Sequence, residues 1–166
     1  MLKTKNDGGQ FMSEDEKVLF IIPNVHQKEG FLKTQGYRLV LTNQRVIFAK
    51  VTKEMQKEED KELKESLKGK SIKERMGTLM TGNKRINEKY QAMSIDEILS
   101  ETEGNFSLST KDISKVKRPM GTRFDENGQP YPRNITIHTQ QGKHILKFHY
   151  AQESDEAYRI LKDYTQ

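Results

Sequence analysis

Apolar and polar positions change period several times along this chain, and each change marks an element. Val18 to Ile22 form a short apolar run closed by Pro23, the length of a strand. In "YRLVLT", Tyr37, Leu39 and Leu41 alternate with Arg38 and Val40, so one face is apolar at period two. "TNQ" then reads as a tight polar turn, in which Asn43 tolerates the positive φ that hairpin turns favour. "RVIFAKV" is the return strand, rich in Val, Ile and Phe.

From Thr52 the period is lost. "TKEMQKEEDKELKESLKGK" is built of helix formers, with Asp60–Lys64 and Lys61–Glu65 as opposite charges at i,i+4. Met55, Leu63 and Leu67 make only a thin apolar stripe, so this helix packs weakly or stays unfolded. The next stretch is clearer. Ser71 and Glu74 have capping-box spacing, and Ile72, Met76, Leu79 and Met80 share one helical face. Gly82 is a plausible stop. Ile86, Tyr90 and Met93 resume helical spacing, and Ser94 with Glu97 repeats the capping box ahead of Ile98 and Leu99.

Strand chemistry returns in "NFSLSTKDISKVK", followed by a Pro- and Gly-rich loop, "RPMGTRFDENGQPYP". "RNITIHT" and "KHILKFHY" are two strands joined by "QQG", a three-residue connection with Gly142 where left-handed geometry is wanted. The chain closes with an amphipathic helix. Ser154 is its expected cap, and Ala157, Tyr158, Ile160, Leu161 and Tyr164 supply the apolar face. The order of three strands, a helical block, about four strands and a helix predicts a mainly β, α+β fold. A terminal helix covering one mouth of a small barrel would bury both apolar faces. The expected organisation is a discontinuous domain of residues 13–51 plus 103–166, a helical insertion at 52–102, and a flexible N-terminal segment, 1–12.

Composition narrows the class. Hydrophobic residues are 33% of the 166, a modest core, and charged residues are 32%, above the usual share of about 25%. The absence of cysteine excludes disulfides, zinc–thiolate sites and cysteine nucleophiles. No run approaches the roughly 18 apolar residues of a membrane span. The start of the sequence lacks the apolar run of a signal peptide, so a cytoplasmic protein is expected. The net charge of +5 is unevenly placed: residues 52–67 carry four Lys against six Asp/Glu, and 68–90 carry seven Lys/Arg against two Glu. Residues 111–147 carry eight Lys/Arg against three Asp/Glu.

The element order and particular residues resemble the pleckstrin-homology-like (PH-like) superfold, in its bacterial PH-like and GRAM-like families. The recurring signature is Gly36 and Tyr37, then Leu41, Thr42, Asn43, Arg45, Val46, Ile47 and Phe48. A second element is Phe106, Leu108, Ile113 and Val116, and the last hairpin and helix complete the order. The resemblance implies a seven-stranded, partly open barrel capped by a C-terminal helix. Residues 52–102 depart from the family's short connection after the third strand, and nothing carries over to them. In eukaryotic PH domains the headgroup motif lies in the first hairpin loop. Here that connection, "HQKEGFLKTQG", offers only Lys28 and Lys33, so the resemblance implies the scaffold more than the ligand. A five-stranded OB-like barrel also carries a helix after its third strand, but the extra strands and the final helix argue against it.

Candidate chemistry is non-catalytic. "GTLMTGNK" lacks the GxxxxGK[ST] order of a phosphate loop, and no nucleophile–base frame emerges. His138, His144 and His149 suggest a metal site, and a three-residue hairpin loop would set His138 opposite His144, but without a nearby Cys or a clear third ligand they read as surface histidines, and no metal or cofactor is expected. Arg45 reads as a structural pin of the turn. The expected function is a binding or assembly module whose insertion contacts a protein partner or another copy of itself. Ile72, Met76, Leu79, Met80, Ile86 and Tyr90 form the contact stripe. The alternative is peripheral attachment to anionic lipid through Lys70, Lys73, Arg75, Lys84 and Arg85 on the insertion and Lys115, Lys117, Arg118, Arg123 and Arg133 near the Pro/Gly loop. Aromatic and basic residues rarely interleave, so a nucleic-acid partner is not expected.

Overall fold

The computed structural model describes residues 15–166, apart from the side chains of Met76 and of residues 78–82. The segment 1–12, expected to be flexible, lies outside the described residues. Three strands come first: β1 (Val18–Glu29), β2 (Lys33–Thr42) and β3 (Arg45–Lys50). The helices α1 (Lys53–Leu67), α2 (Ile72–Ala92) and α3 (Ile95–Ser100) follow. Then come β4 (Phe106–Ser109), β5 (Ile113–Lys117), β6 (Ile135–Thr139), β7 (Gly142–Lys147) and α4 (Ala151–Tyr164). All seven strands join one antiparallel sheet in the order β4-β3-β2-β1-β7-β6-β5. A short 3₁₀ turn, Thr110–Asp112, links the two terminal strands, which do not pair, so the ladder stays open.

The sheet folds over on itself. Four strand steps separate β4 from β7, which would span roughly 19 Å in a flat sheet. Yet the rings of Phe106 and His144 lie 5.7 Å apart, and Phe48 is 5.6 Å from His144. The bend falls where β1 meets β7, because only His26 and Gln27 pair across that junction. Pro23 does not end β1 as expected. Its missing N–H is tolerated at a register shift between Ile22 and Val25, before β7 takes up pairing. Inside the fold, Leu39, Leu41, Val46 and Phe48 meet Ile135, Ile137 and Leu146 and the buried Ala157 and Leu161 of α4.

The second face of β2 and β3 is also buried. Val40, Ile47 and Ala49 pack under Tyr90 and Ile98, with Ile86, Met93, Ile95 and Leu99 around them. Alternation therefore gives way to a continuous buried run, Val46–Ala49, because both faces have a partner layer.

Helix ends follow the predicted caps in part. Ser71 and Glu74 close a capping box, as do Ser94 and Glu97, with backbone-to-carboxylate bonds of 2.7 and 2.6 Å. Gly82 does not stop α2, whose backbone stays helical to Ala92. A mid-helix Gly costs only about 1 kcal/mol, and Ile86, Tyr90 and Met93 hold the later turns on the sheet. Ser154 is not the cap of α4. The helix starts a turn earlier, where Tyr150 N–H donates to Glu153 at 3.3 Å, and buried Ser154 Oγ accepts Arg133 N–H instead.

The β2–β3 turn is pinned by side chains, not by a left-handed Asn, since no described non-Gly residue has positive φ. Thr42 Oγ1 accepts the N–H groups of Gln44 and Arg45 at 3.1 and 3.0 Å. Arg45 Nε pairs with Glu16 at 2.9 Å, and Tyr164 Oη of α4 lies 2.6 Å from the Thr42 carbonyl. The β6–β7 connection is also shorter than expected: Thr139 pairs Gly142, leaving Gln140 and Gln141 as the loop. If the insertion covers the sheet as described, Ile98→Ala should destabilise the protein by about 2–4 kcal/mol in urea denaturation. Ile72→Ala, at an exposed position, should change it by under about 0.5 kcal/mol, and equal losses would show that α3 does not cover the sheet.

Candidate functional site

Alternation along β2 puts Arg38 on the face covered by the insertion, together with Val40. Only 3% of Arg38 is exposed. A buried guanidinium requires a partner, because taking an unpaired charge out of water is costly. That partner is Glu59 of α1, which accepts from Arg38 Nη2. The guanidinium carbon also lies 5.9 Å from the centre of the Tyr90 ring. Burial opposes the Arg38 charge, but Glu59 and Tyr90 outweigh it and hold its pKa above the ordinary value.

Tyr90 continues the chain of contacts. Its hydroxyl donates to Glu101 Oε2 at 2.9 Å, and the other oxygen of Glu101 binds Lys89 Nζ. Burial, with a smaller contribution from Glu101 and against Arg38, pushes the Tyr90 phenol up to about 12. The set Glu59, Arg38, Tyr90, Glu101 and Lys89 thus ties α1, α2 and the end of α3 to β2. No residue of α1 is fully buried; Met55, Leu63 and Leu67 are partly covered, and the Arg38–Glu59 pair is its contact with a buried residue of the sheet. Between α1, α2 and the sheet lies a groove of about 480 Å³. It falls within the roughly 300–1,000 Å³ of small-molecule sites. Arg38, Glu59, Leu63, Lys70, Arg85 and Lys89 are among its walls.

The residues expected to form one partner stripe are divided by the fold. Ile72 is 80% exposed. Ile86 is half-buried against the sheet, and Tyr90 is fully buried and closed to a partner, because it covers Ile47 and Ala49. The side chains of Met76, Leu79 and Met80 lie outside the described residues.

The basic residues do not converge on one site. Lys70 and Arg85 line the groove, Lys73 is exposed, and Arg75 Nε donates to the Lys70 carbonyl at 3.0 Å. Lys84 faces Glu88 at 3.8 Å. Arg118 and Arg133 both bind Asp155 Oδ1, at 2.5 and 2.9 Å, so a carboxylate of α4 already holds the place of an outside anion. Lys115 and Lys117 stand close together on the edge strand β5, and the side-chain contact with Lys117, then its charge, lower the Lys115 pKa. Arg123 is exposed in the loop before β6. Sequence reasoning missed Arg38 and Glu59. The available signal was an arginine inside a strand that leads into "VIFA", where apolar residues occupy both faces.

No family model matches the chain, and no curated protein matches it. It is similar to a crystal structure of the C-terminal domain of an unknown protein from Leishmania infantum. The identity is 13%, over 90% of this chain and 84% of that one, with a TM-score of 0.45.

No cluster of three potential metal ligands occurs among the described residues. His138 pairs across the hairpin with Lys143, whereas His144 faces Ile137. His144 packs against Phe48 and Phe106, and its Nδ1 is 3.3 Å from Gln27 Nε2. Burial lowers its pKa from 6.5. His26 is lowered too, first by burial and then by His149, whose ring lies 4.6 Å away, while Glu153 opposes the shift. Both imidazoles bind protons less readily folded than unfolded, so their contribution is present above pH 6.5 and lost as pH falls through the lower folded values. Thermal melts between about pH 8 and 5 should show Tm falling below pH ~6.5, with a shallower slope in His144→Gln; an identical slope in that variant would remove His144 from the account.

Proposed function

We propose that this chain is a non-catalytic assembly module on a PH-like scaffold, which self-associates through its helical insertion. Three strands, an insertion, four strands and a C-terminal helix that shares their core support the PH-like reading of the open, folded-over sheet. The observation that carries the assembly reading is the contrast within the insertion. Its later part is committed to the sheet, whereas α1 has no fully buried residue, with Met55, Leu63 and Leu67 only partly covered, and Ile72 at the start of α2 stands 80% exposed. Met76, Leu79 and Met80 continue the Ile72 spacing in sequence.

Charge favours a second copy as the partner. The α1 segment is net acidic and residues 68–90 are net basic, so a twofold pair can set each acidic helix against the other copy's basic stretch. Removal of 52–102 is a poor test, because it uncovers Val40, Ile47 and Ala49. Sedimentation velocity on the whole chain is decisive. The wild type should show a species heavier than the 19.4 kDa monomer that grows with concentration, and Ile72→Glu should remain monomeric. A wild type that is monomeric throughout would overturn the reading.

A second reading, attachment to anionic lipid, is favoured by the loop between β5 and β6. Met120, Phe124 and Tyr131 are 99%, 62% and 54% exposed there, in the same segment as Lys117 and Arg123. Apolar side chains with basic neighbours suit an anionic interface. No helix among the described residues is long and apolar enough to cross a membrane. Phosphatidylserine vesicles should pellet the protein at low salt, less so at high salt and less with Phe124→Asp; no pelleting at low salt would exclude this reading.

A further inference from the structure

The groove between α1 and α2 has a floor unlike its rim. Arg38 is almost wholly buried, and its described side-chain hydrogen bond uses one of the five donors a guanidinium offers. Tyr90 lies against the same guanidinium, and Arg38 is one of the groove's lining residues. Arg85, on the opposite wall, makes no ion pair among the described residues, and Lys70 stands at the end of α1. Asp60 and Glu62 are also among the groove's walls; Asp60 accepts from Gln56 Nε2 at 3.0 Å, and Asp60, Glu62 and Arg85 are all exposed to solvent, which screens each of them. Glu59 is 38% exposed, so the carboxylate that neutralises Arg38 is itself within reach of solutes.

We propose that this groove is an oxyanion site, with Arg38 as its floor, Arg85 at its wall, and Glu59 as the internal carboxylate that an external phosphate or polycarboxylate displaces. A phosphate or carboxylate presents two oxygens to the guanidinium fork, where Glu59 makes one bond. Displacement also has a structural consequence. Because α1 has no fully buried residue and only a partly covered apolar stripe, loss of the Arg38–Glu59 contact loosens α1 while β2 and β3 stay packed. The site does not depend on self-association, and Ile72→Glu should leave it intact.

Isothermal titration calorimetry with inorganic phosphate and, separately, with citrate tests this and distinguishes the two sources of the oxyanion. At least one should saturate on the full chain. Glu59→Gln, which removes the internal competitor, should tighten that binding roughly tenfold or more. Arg85→Gln should weaken it without altering the fold, and Arg38→Gln, where circular dichroism shows a folded protein, should abolish it. Hydrogen exchange should quicken in 53–67 on binding, with β2 and β3 unchanged. No heat with either probe on wild type and Glu59→Gln would overturn the proposal. So would a Glu59→Gln variant that binds no tighter, or binding indifferent to both arginine substitutions.

Discussion

Strands β2 and β3 are buried on both faces, and the remaining architecture is organised to satisfy that condition. On one side the sheet folds at the sparse β1–β7 junction, so that β5, β6 and β7 close over Leu39, Leu41 and Phe48. On the other side α2 and α3 cover Val40, Ile47 and Ala49. Full burial of one such aliphatic side chain contributes about 1.5–3 kcal/mol, so neither layer is dispensable in a chain with a modest apolar share. The final helix belongs to the same scheme. Its Leu161 enters the inner core, and Tyr164 reaches back to the carbonyl of Thr42 at the turn between the two central strands.

The insertion is consequently two things in one segment. Its second half is a structural layer, fixed by Tyr90 and Ile98. Its first half, α1, has only a thin, partly covered apolar stripe and adds to it an ion pair to a buried arginine. The two modes of attachment respond differently to their surroundings. Apolar burial offers solutes no polar partner, whereas the Glu59 carboxylate, 38% exposed, stands within their reach. α1 and the start of α2 are thus the part of the insertion least committed to the protein's own core.

The basic character of the chain has a mixed physical origin. Arg118 and Arg133 bind Asp155 and brace the β5–β6 loop against α4, with the Arg118 guanidinium 4.3 Å from the Tyr158 ring. Lys115 and Lys117 sit on an edge strand, where lysine discourages pairing with another sheet. Arg45 holds Glu16 at the β2–β3 turn. Much of the positive charge that draws the eye in the sequence is thus structural, and Arg38, a single buried cation in an apolar strand, carries more chemical interest than the surface clusters.

Local order was legible in the residues themselves. The alternation of Tyr37, Leu39 and Leu41, the β-branched return strand, and the two Ser–Glu capping boxes each depend on neighbours a few positions apart, and the structure keeps them all. What failed locally was overruled by distant contacts. Pro23 is carried through β1 by a bulge, and Gly82 does not break a helix whose later turns are anchored on the sheet. Ser154 became a buried acceptor for Arg133. The outer face of β2 and β3 reads as apolar in sequence, but only tertiary structure decides what covers it. Tyr90 lies some fifty residues from Arg38 in the chain and is packed under the same sheet. Likewise, Arg38 and Glu59 are 21 positions apart, and nothing in their spacing brings them together. Sequence therefore determined the elements, because their signals are short-range periodicities. The pairing of faces, and with it the candidate site, was settled only when those elements competed for the same buried surface.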